Sequence, residues 1–298
     1  MGLAQRGSIH ASLKDETQAC QAAPASNRES PGMALIRSTR RTILLTLHIL
    51  LGMLLTPLIL SARGGDGLRT NSRVTSWWHN RAADILGIGI TVSGPRPRAP
   101  ALLASNHVSW LDIAVLGGLT HTDFLSKSEV RRWPVIGWLA ARSGTLFIRR
   151  GKNETGEVND QIAQRLRHGD LLTLFPEGRT SQGREVRPFF PRLFAAAIDT
   201  GSDVIPVTLR YHIDGEFDPL APYTDNQFIL HNLRRLIRRD RTQVNVVFGQ
   251  PIRPDGHSRK EIAELAHDAV LSALLGPQQV PLAQRASGRL TDPTETKH

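Results

Sequence analysis

The sequence predicts an α/β fold: a mixed, largely parallel sheet flanked by helices, with an N-terminal hydrophobic, membrane-associated helical segment. Two observations carry this. Between residues 74 and 275, short aliphatic runs alternate with longer helical patterns, as strand–helix–strand crossovers do. Ahead of them, residues 43–62 read "ILLTLHILLGMLLTPLILSA", with no Asp, Glu, Lys or Arg. About twenty apolar residues suffice to cross a bilayer.

Taken in order, residues 1–36 are polar, rich in Ala and Ser and aperiodic, so they are expected to be disordered. The membrane-associated segment spans 37–73. A cleaved signal peptide fits it poorly, because a polar stretch precedes the run and the run exceeds a typical signal core. A buried core helix is the other alternative. Pro57 admits a kink or a re-entrant bend as readily as a straight span. Arginines flank both sides, Arg37, Arg40 and Arg41 before and Arg63, Arg69 and Arg73 after, so flanking charge gives no orientation.

Residues 74–87, "VTSWWHNRAADILG", read as a helix. Strand-like runs follow at 88–92, 101–105, 123–127, 145–148, 171–175, 203–209 and 244–249, rich in aliphatic side chains. Helical patterns lie between them near 110–119, 130–141, 155–168, 190–200 and 227–238. A last helix is expected over 259–275, its apolar face made by Ile262, Leu265, Ala266, Ala269 and Ala273, with Val270 at the edge. The domain therefore covers 74–275, and 276–298 is expected to be a flexible tail.

Lys and Arg outnumber Asp and Glu by 37 to 27, for a net charge of +10. Such a balance calls for an anionic partner. The hydrophobic run favours a membrane surface, and no nucleic-acid-binding motif or aromatic platform is present. One basic amphipathic stretch, "FILHNLRRLIRRD" (228–240), suits an anionic bilayer surface or a solvated helix face equally. One cysteine, Cys20, rules out an internal disulfide and paired-cysteine zinc spacing.

Four clusters carry chemistry. In "SNHVSWLD" the strand should end near Ser105, which leaves His107 in a loop and Asp112 in the first turn of the next helix. A carboxylate accepting from one imidazole nitrogen leaves the other basic, the logic that activates a hydroxyl. By itself the spacing is weak, and Asp112 could simply stabilise a helix start. In "GTLFIRRGK", Arg149 and Arg150 follow a strand and suit a phosphate or carboxylate. In "LLTLFPEGRTSQG", a strand runs into a Pro/Gly turn that places Glu177 at its end, where an arginine of the second cluster could pair with it. Gly178 lets a ligand approach the backbone. In "DVIPVTLRY", Pro206 argues against an ordinary central strand position and for a wall near the site.

Together the four clusters resemble the glycerophospholipid acyltransferases of the 1-acylglycerol-3-phosphate type. That family carries, in this order, His-x4-Asp, Phe-x-x-Arg, Phe-Pro-Glu-Gly and an apolar strand with an internal proline. Here these fall at His107/Asp112, Phe147 to Arg150, Phe175 to Gly178 and Val204 to Val207, within about residues 75–250. The resemblance implies that His107 is the general base, oriented by Asp112. The acceptor hydroxyl would attack an acyl thioester of acyl-CoA or acyl carrier protein. Arg149 or Arg150, Glu177 and Arg179 would hold the acceptor head group, and the Gly178 amide and Lys127 would serve the oxyanion. No metal or cofactor is implied.

The implied activity is acylation of 1-acylglycerol-3-phosphate to phosphatidic acid at the inner or cytoplasmic membrane, with the catalytic domain facing the cytoplasm. One departure bears on the acceptor. The family pattern Glu-Gly-Thr-Arg-Ser reads Glu177-Gly178-Arg179-Thr180-Ser181 here, and Trp110-Leu111 precede the aspartate. Such variants are similar to relatives that acylate other lysolipids, including lyso-ornithine lipid. Two further alternatives are a hydrolase using Ser109, which lacks a Gly-x-Ser-x-Gly elbow, and a non-catalytic lipid-binding membrane protein.

Overall fold

The computed structural model describes residues 31–61, 72–148, 155–224, 227–276 and 283–284. Helix α1 (Pro31–Ser61) and helix α2 (Ser72–Leu86) precede the sheet. Then come β1 (Ile88–Ser93), β2 (Ala101–Ser105), α3 (Leu111–Leu119), β3 (Thr122–Lys127), α4 (Ile136–Arg142) and β4 (Leu146–Ile148). The chain continues through α5 (Thr155–Arg167), β5 (Leu171–Leu174), α6 (Ala195–Thr200), β6 (Asp203–Ile213) and β7 (Glu216–Phe217). It closes with α7 (Ile229–Arg238), β8 (Thr242–Phe248), α8 (Arg259–Leu275) and a two-residue β9 (Ala283–Gln284).

The strands form one mixed sheet in the order β4-β3-β5-β2-β6-β8-β1-β9, with β7 on β6. From β4 to β6 all pairings are parallel; β8 then runs antiparallel to β6 and parallel to β1. Both faces are covered, which is why the central strands are apolar at successive positions. In β2, Leu103 joins a core with Val115 and Leu116 of α3, Leu236 of α7 and Ala83 of α2. Its neighbour Leu102 joins a second core with Ile162 of α5, Ala197 of α6 and Ile262 and Ala266 of α8.

Several expectations are corrected. Residues 31–36 belong to α1 instead of a disordered extension. Within the expected tail, Ala283–Gln284 pair with Thr91 and Val92. The buried face of α8 is Ile262, Ala263, Ala266, Val270 and Leu274, while Leu265 is exposed; the helix is rotated so that Val270 sits at the centre of the stripe. Pro206 lies inside the central strand β6, opposite Ala104. It is tolerated because the neighbouring chain is interrupted there, between the Val207–Phe248 pair that ends β8 and the Val204–Ile252 bridge where pairing resumes. The Gly249 amide still donates to the Pro206 carbonyl at 2.8 Å, and the missing proline N–H leaves no strand acceptor opposite it.

Helix α1 packs in the reverse sense to an ordinary surface helix. Its domain-facing stripe, spaced by three or four residues, includes Arg37, Arg41, His48 and Gly52. Arg41 donates to the Arg239 and Asp240 carbonyls beyond α7, and Arg37 to the Arg238 carbonyl and the Asp240 carboxylate. The His48 ring stacks on Trp78 of α2 at 3.6 Å. The opposite stripe, with Ile36, Ile43, Leu47, Leu50 and Leu54, is exposed. A core helix would turn this stripe inward. Residues Gly32–Pro57 are long and apolar enough to cross a membrane.

Candidate active site

The site forms where β2 ends. Asn106 extends that strand with its side chain: its amide donates to the Leu209 carbonyl at 2.9 Å and accepts from the Leu209 amide at 2.8 Å. The side chain completes the ladder to β6, so the main chain can turn away. In the turn, the Ser181 amide donates to the His107 carbonyl and the Tyr223 amide to the Val108 carbonyl, at 2.8 and 3.0 Å.

Asp112, in the first turn of α3, is fully buried. Its Oδ2 accepts from His107 Nδ1 at 2.7 Å and from the amides of Val108 and Ser109 at 2.7 and 3.0 Å. Its Oδ1 accepts from the Tyr211 hydroxyl at 2.7 Å. Four donors converge on one side chain, which suits a carboxylate that only accepts. With Nδ1–H donating to Asp112, Nε2 of His107 is left as the basic nitrogen. The imidazole stacks on Phe175 with centroids 3.9 Å apart and planes 16° from parallel, so its rotation is fixed and one ring face is covered. Phe124 of β3 continues the stack behind Phe175.

Glu177 also reaches this turn, through backbone amides. It is buried, and its two oxygens accept from the backbone amides of His107 at 2.8 Å and Arg187 at 3.1 Å. Burial pushes its carboxyl above the ordinary glutamate value, against the pull of those two amides. The strand end places Glu177 under the His107 turn, where these two amides occupy its oxygens; the arginines expected to pair with it, Arg149 and Arg150, lie outside the described residues. The Gly178 amide, expected at an oxyanion, donates to the Phe175 carbonyl at 3.0 Å and closes the turn. Gly178 has φ +72°, a left-handed conformation that favours glycine. Lys127 stands at the end of β3, and the strand register brings it to the same end of the sheet as His107. Arg179 is exposed just beyond the turn. Arg149 and Arg150 lie outside the described residues.

The structure adds residues that the motifs did not mark. Tyr211 completes the shell of Asp112, and Trp110 donates from its indole to Asn232 of α7 at 2.9 Å. The signal for Tyr211 was its place in β6 beyond the proline-bearing motif, which meant nothing without the sheet register. Ser109 is buried, and its hydroxyl has no hydrogen-bond partner among the described residues. Its hydroxyl makes no hydrogen bond to Nε2, the basic nitrogen of His107, as the nucleophile of a Ser-His-Asp triad would, which argues against a Ser109 hydrolase.

A buried carboxylate orienting a partly exposed imidazole at the end of a parallel strand is an arrangement suited to general acid–base chemistry. A protein-family model described as Acyltransferase matches residues 89–210, which include both dyad residues. The chain is 42% identical over 224 residues to the lyso-ornithine lipid O-acyltransferase of Pseudomonas aeruginosa, covering 75% of this chain and 87% of that protein. It is 35% identical to the Brucella abortus protein of the same name, covering 71% and 86% of the two chains. It is 39% identical to the 1-acyl-sn-glycerol-3-phosphate acyltransferase of Neisseria gonorrhoeae, over 50% of this chain and 61% of that one. The crystal structure of the 1-acyl-sn-glycerophosphate acyltransferase PlsC from Thermotoga maritima shares the fold, with a TM-score of 0.59 at 20% identity, covering 81% and 95% of the two chains. The chain belongs to the glycerophospholipid acyltransferase family, and it is an enzyme that transfers acyl groups.

Proposed function

We propose that the protein is a membrane-bound O-acyltransferase that esterifies the free hydroxyl of lyso-ornithine lipid, with acyl-CoA or acyl carrier protein as donor. The observation that carries the reaction type is the His107–Asp112 pair at 2.7 Å, inside a four-donor shell. Nε2 of His107 takes the proton as the acceptor oxygen attacks the thioester carbonyl. The tetrahedral intermediate collapses with cleavage of the C–S bond, and His107 returns the proton to the departing thiolate. Asp112 stabilises the imidazolium between the two steps. Lys127, at the same end of the sheet, is the side chain we assign to the oxyanion. Glu177 acts from below, by holding the His107 backbone.

Lyso-ornithine lipid is placed first because the relatives of that name match over most of this chain. The exchanged Arg179-Thr180 order points the same way. The second reading, 1-acylglycerol-3-phosphate, is favoured by the Neisseria relative. The exposed apolar stripe of α1 supports placement at a membrane; the cytoplasmic side is assigned because the thioester donors are cytosolic.

The test is a panel of both lysolipids with each donor, using membranes that contain the full chain. Labelled ester should form on lyso-ornithine lipid, and His107→Ala should lower kcat by roughly 10²–10⁴-fold. Full activity in that variant would remove His107 as the base. Transfer to 1-acylglycerol-3-phosphate alone would reverse the order of acceptors.

A further inference from the structure

Helix α7 and its C-cap carry four arginines, which divide into two pairs. Arg235 donates to the Leu220 carbonyl at 3.0 Å, and Arg239 to the buried Asp218 carboxylate at 2.6 Å. Both are committed to the 218–220 loop. Arg234 and Arg238 are exposed, and their guanidinium groups have no hydrogen-bond or ion-pair partner among the described residues. Both line a cleft between α1 and α7, together with Ser38, Thr39, Thr42, Ile43 and Ile237. The Ser38 and Thr42 hydroxyls donate to carbonyls of α1 itself, so the charged donors facing the cleft are the two arginines, with the Thr39 hydroxyl beside them. Arg37 is tied to Asp240 and the Arg238 carbonyl. The cleft is flanked by apolar surface, Ile36 and Leu47 of α1 on one side and Phe228 and Leu230 of α7 on the other, with Phe228 79% and Leu230 73% exposed.

Two uncompensated guanidinium groups beside exposed aliphatic and aromatic side chains are complementary to an amphiphile with an anionic head. We propose that the α1–α7 cleft binds the phosphate of an anionic phospholipid through Arg234 and Arg238, with its acyl chains along the outward stripe of α1. Guanidinium groups suit phosphate because their planar fork can donate twice to its oxygens. The site is distinct from the dyad but joined to it: Asn232, on the same helix, accepts from Trp110 in the catalytic turn. A lipid held there would fix the height of that turn over the bilayer surface.

This inference rests on the membrane placement proposed above, so the experiment reads binding and does not depend on acyl transfer. The full chain is floated with vesicles of phosphatidylcholine alone and of phosphatidylcholine with a minority of phosphatidylglycerol. The unaltered chain should prefer the anionic vesicles, and the preference should weaken with added salt. Arg234→Gln with Arg238→Gln should lower it by about five-fold per arginine removed. Arg259→Gln with Lys260→Gln removes the same charge from exposed positions on α8, beneath the other sheet face, and should retain the preference. The conservative pair Arg234→Lys with Arg238→Lys should keep most of it. A cleft variant that keeps the full preference overturns the site. So does an equal loss in the α8 variant, which would mean that net charge alone acts. Flotation with neither vesicle overturns the membrane placement and the site together.

Discussion

At the scale of single residues, the chemistry rests on one buried carboxylate that never meets solvent. Asp112 accepts from an imidazole, two amides and a phenol. The phenol is the telling member. Burial, and then the adjacent Asp112 charge, push the Tyr211 hydroxyl well above its ordinary value, so it remains a donor at any pH the enzyme meets. It shares the carboxylate charge with His107. Tyr211→Phe removes a hydrogen bond to a charged group, a change of about 1.5–3 kcal/mol. We expect kcat to fall by roughly ten-fold or more while KM for acceptor holds, because the carboxylate that orients His107 loses one of its anchors. An unchanged kcat in the variant would mean that the phenol only packs. The dyad was legible in the sequence because its partners are five residues apart. Tyr211 and Glu177 reach the same turn from 99 and 70 residues away, and only strand register brings them there.

At the scale of elements, the strands and helices could be read closely from periodicity, and the misreadings share a cause. Pro206 and the rotated α8 both depend on what lies alongside them: a proline is tolerated where the pairing of the neighbouring chain is interrupted, and a helix is phased by its partner. The sequence showed that α1 is apolar without showing which side it presents to the domain. The answer is its few polar and small residues. Gly52 lies directly against the Trp78 ring, where even a Cβ would collide with the indole. Gly52→Ala should therefore destabilise the α1–α2 contact by roughly 1–3 kcal/mol. A lower denaturant midpoint in detergent would report it, with Gly32→Ala, where a Cβ meets nothing, as the silent control.

At the scale of the whole molecule, the sheet divides the protein into two unlike halves. The face with α2, α3 and α7 carries α1, the dyad loop and the aromatic stack; the face with α5, α6 and α8 carries a plain hydrophobic core. Between α2 and α3, His79 packs against Gly117 and Phe124. Burial pushes its imidazole down from 6.5 to about 4. A histidine with a depressed folded value gives its full stability above about pH 6.5 and loses it as pH falls toward about 4. His79→Gln should flatten this part of the stability–pH curve, measured as the difference between the two proteins' denaturant midpoints across that window. A difference independent of pH would show that the ring does not titrate there. The +10 charge of the chain pointed to an anionic partner, but not to which half would meet it.

The two-sided build also decides how the enzyme can be mounted. Helix α8 starts with a full capping box, Ser258 and Glu261 each bonding the other's amide, and its outer positions lie far from α1. The chain has one cysteine, Cys20. With that residue replaced and a thiol placed on the outside of α8, the protein could be tethered to a bead or an electrode in a single orientation. Its greasy side would then point away from the support, open to a supported bilayer laid over it.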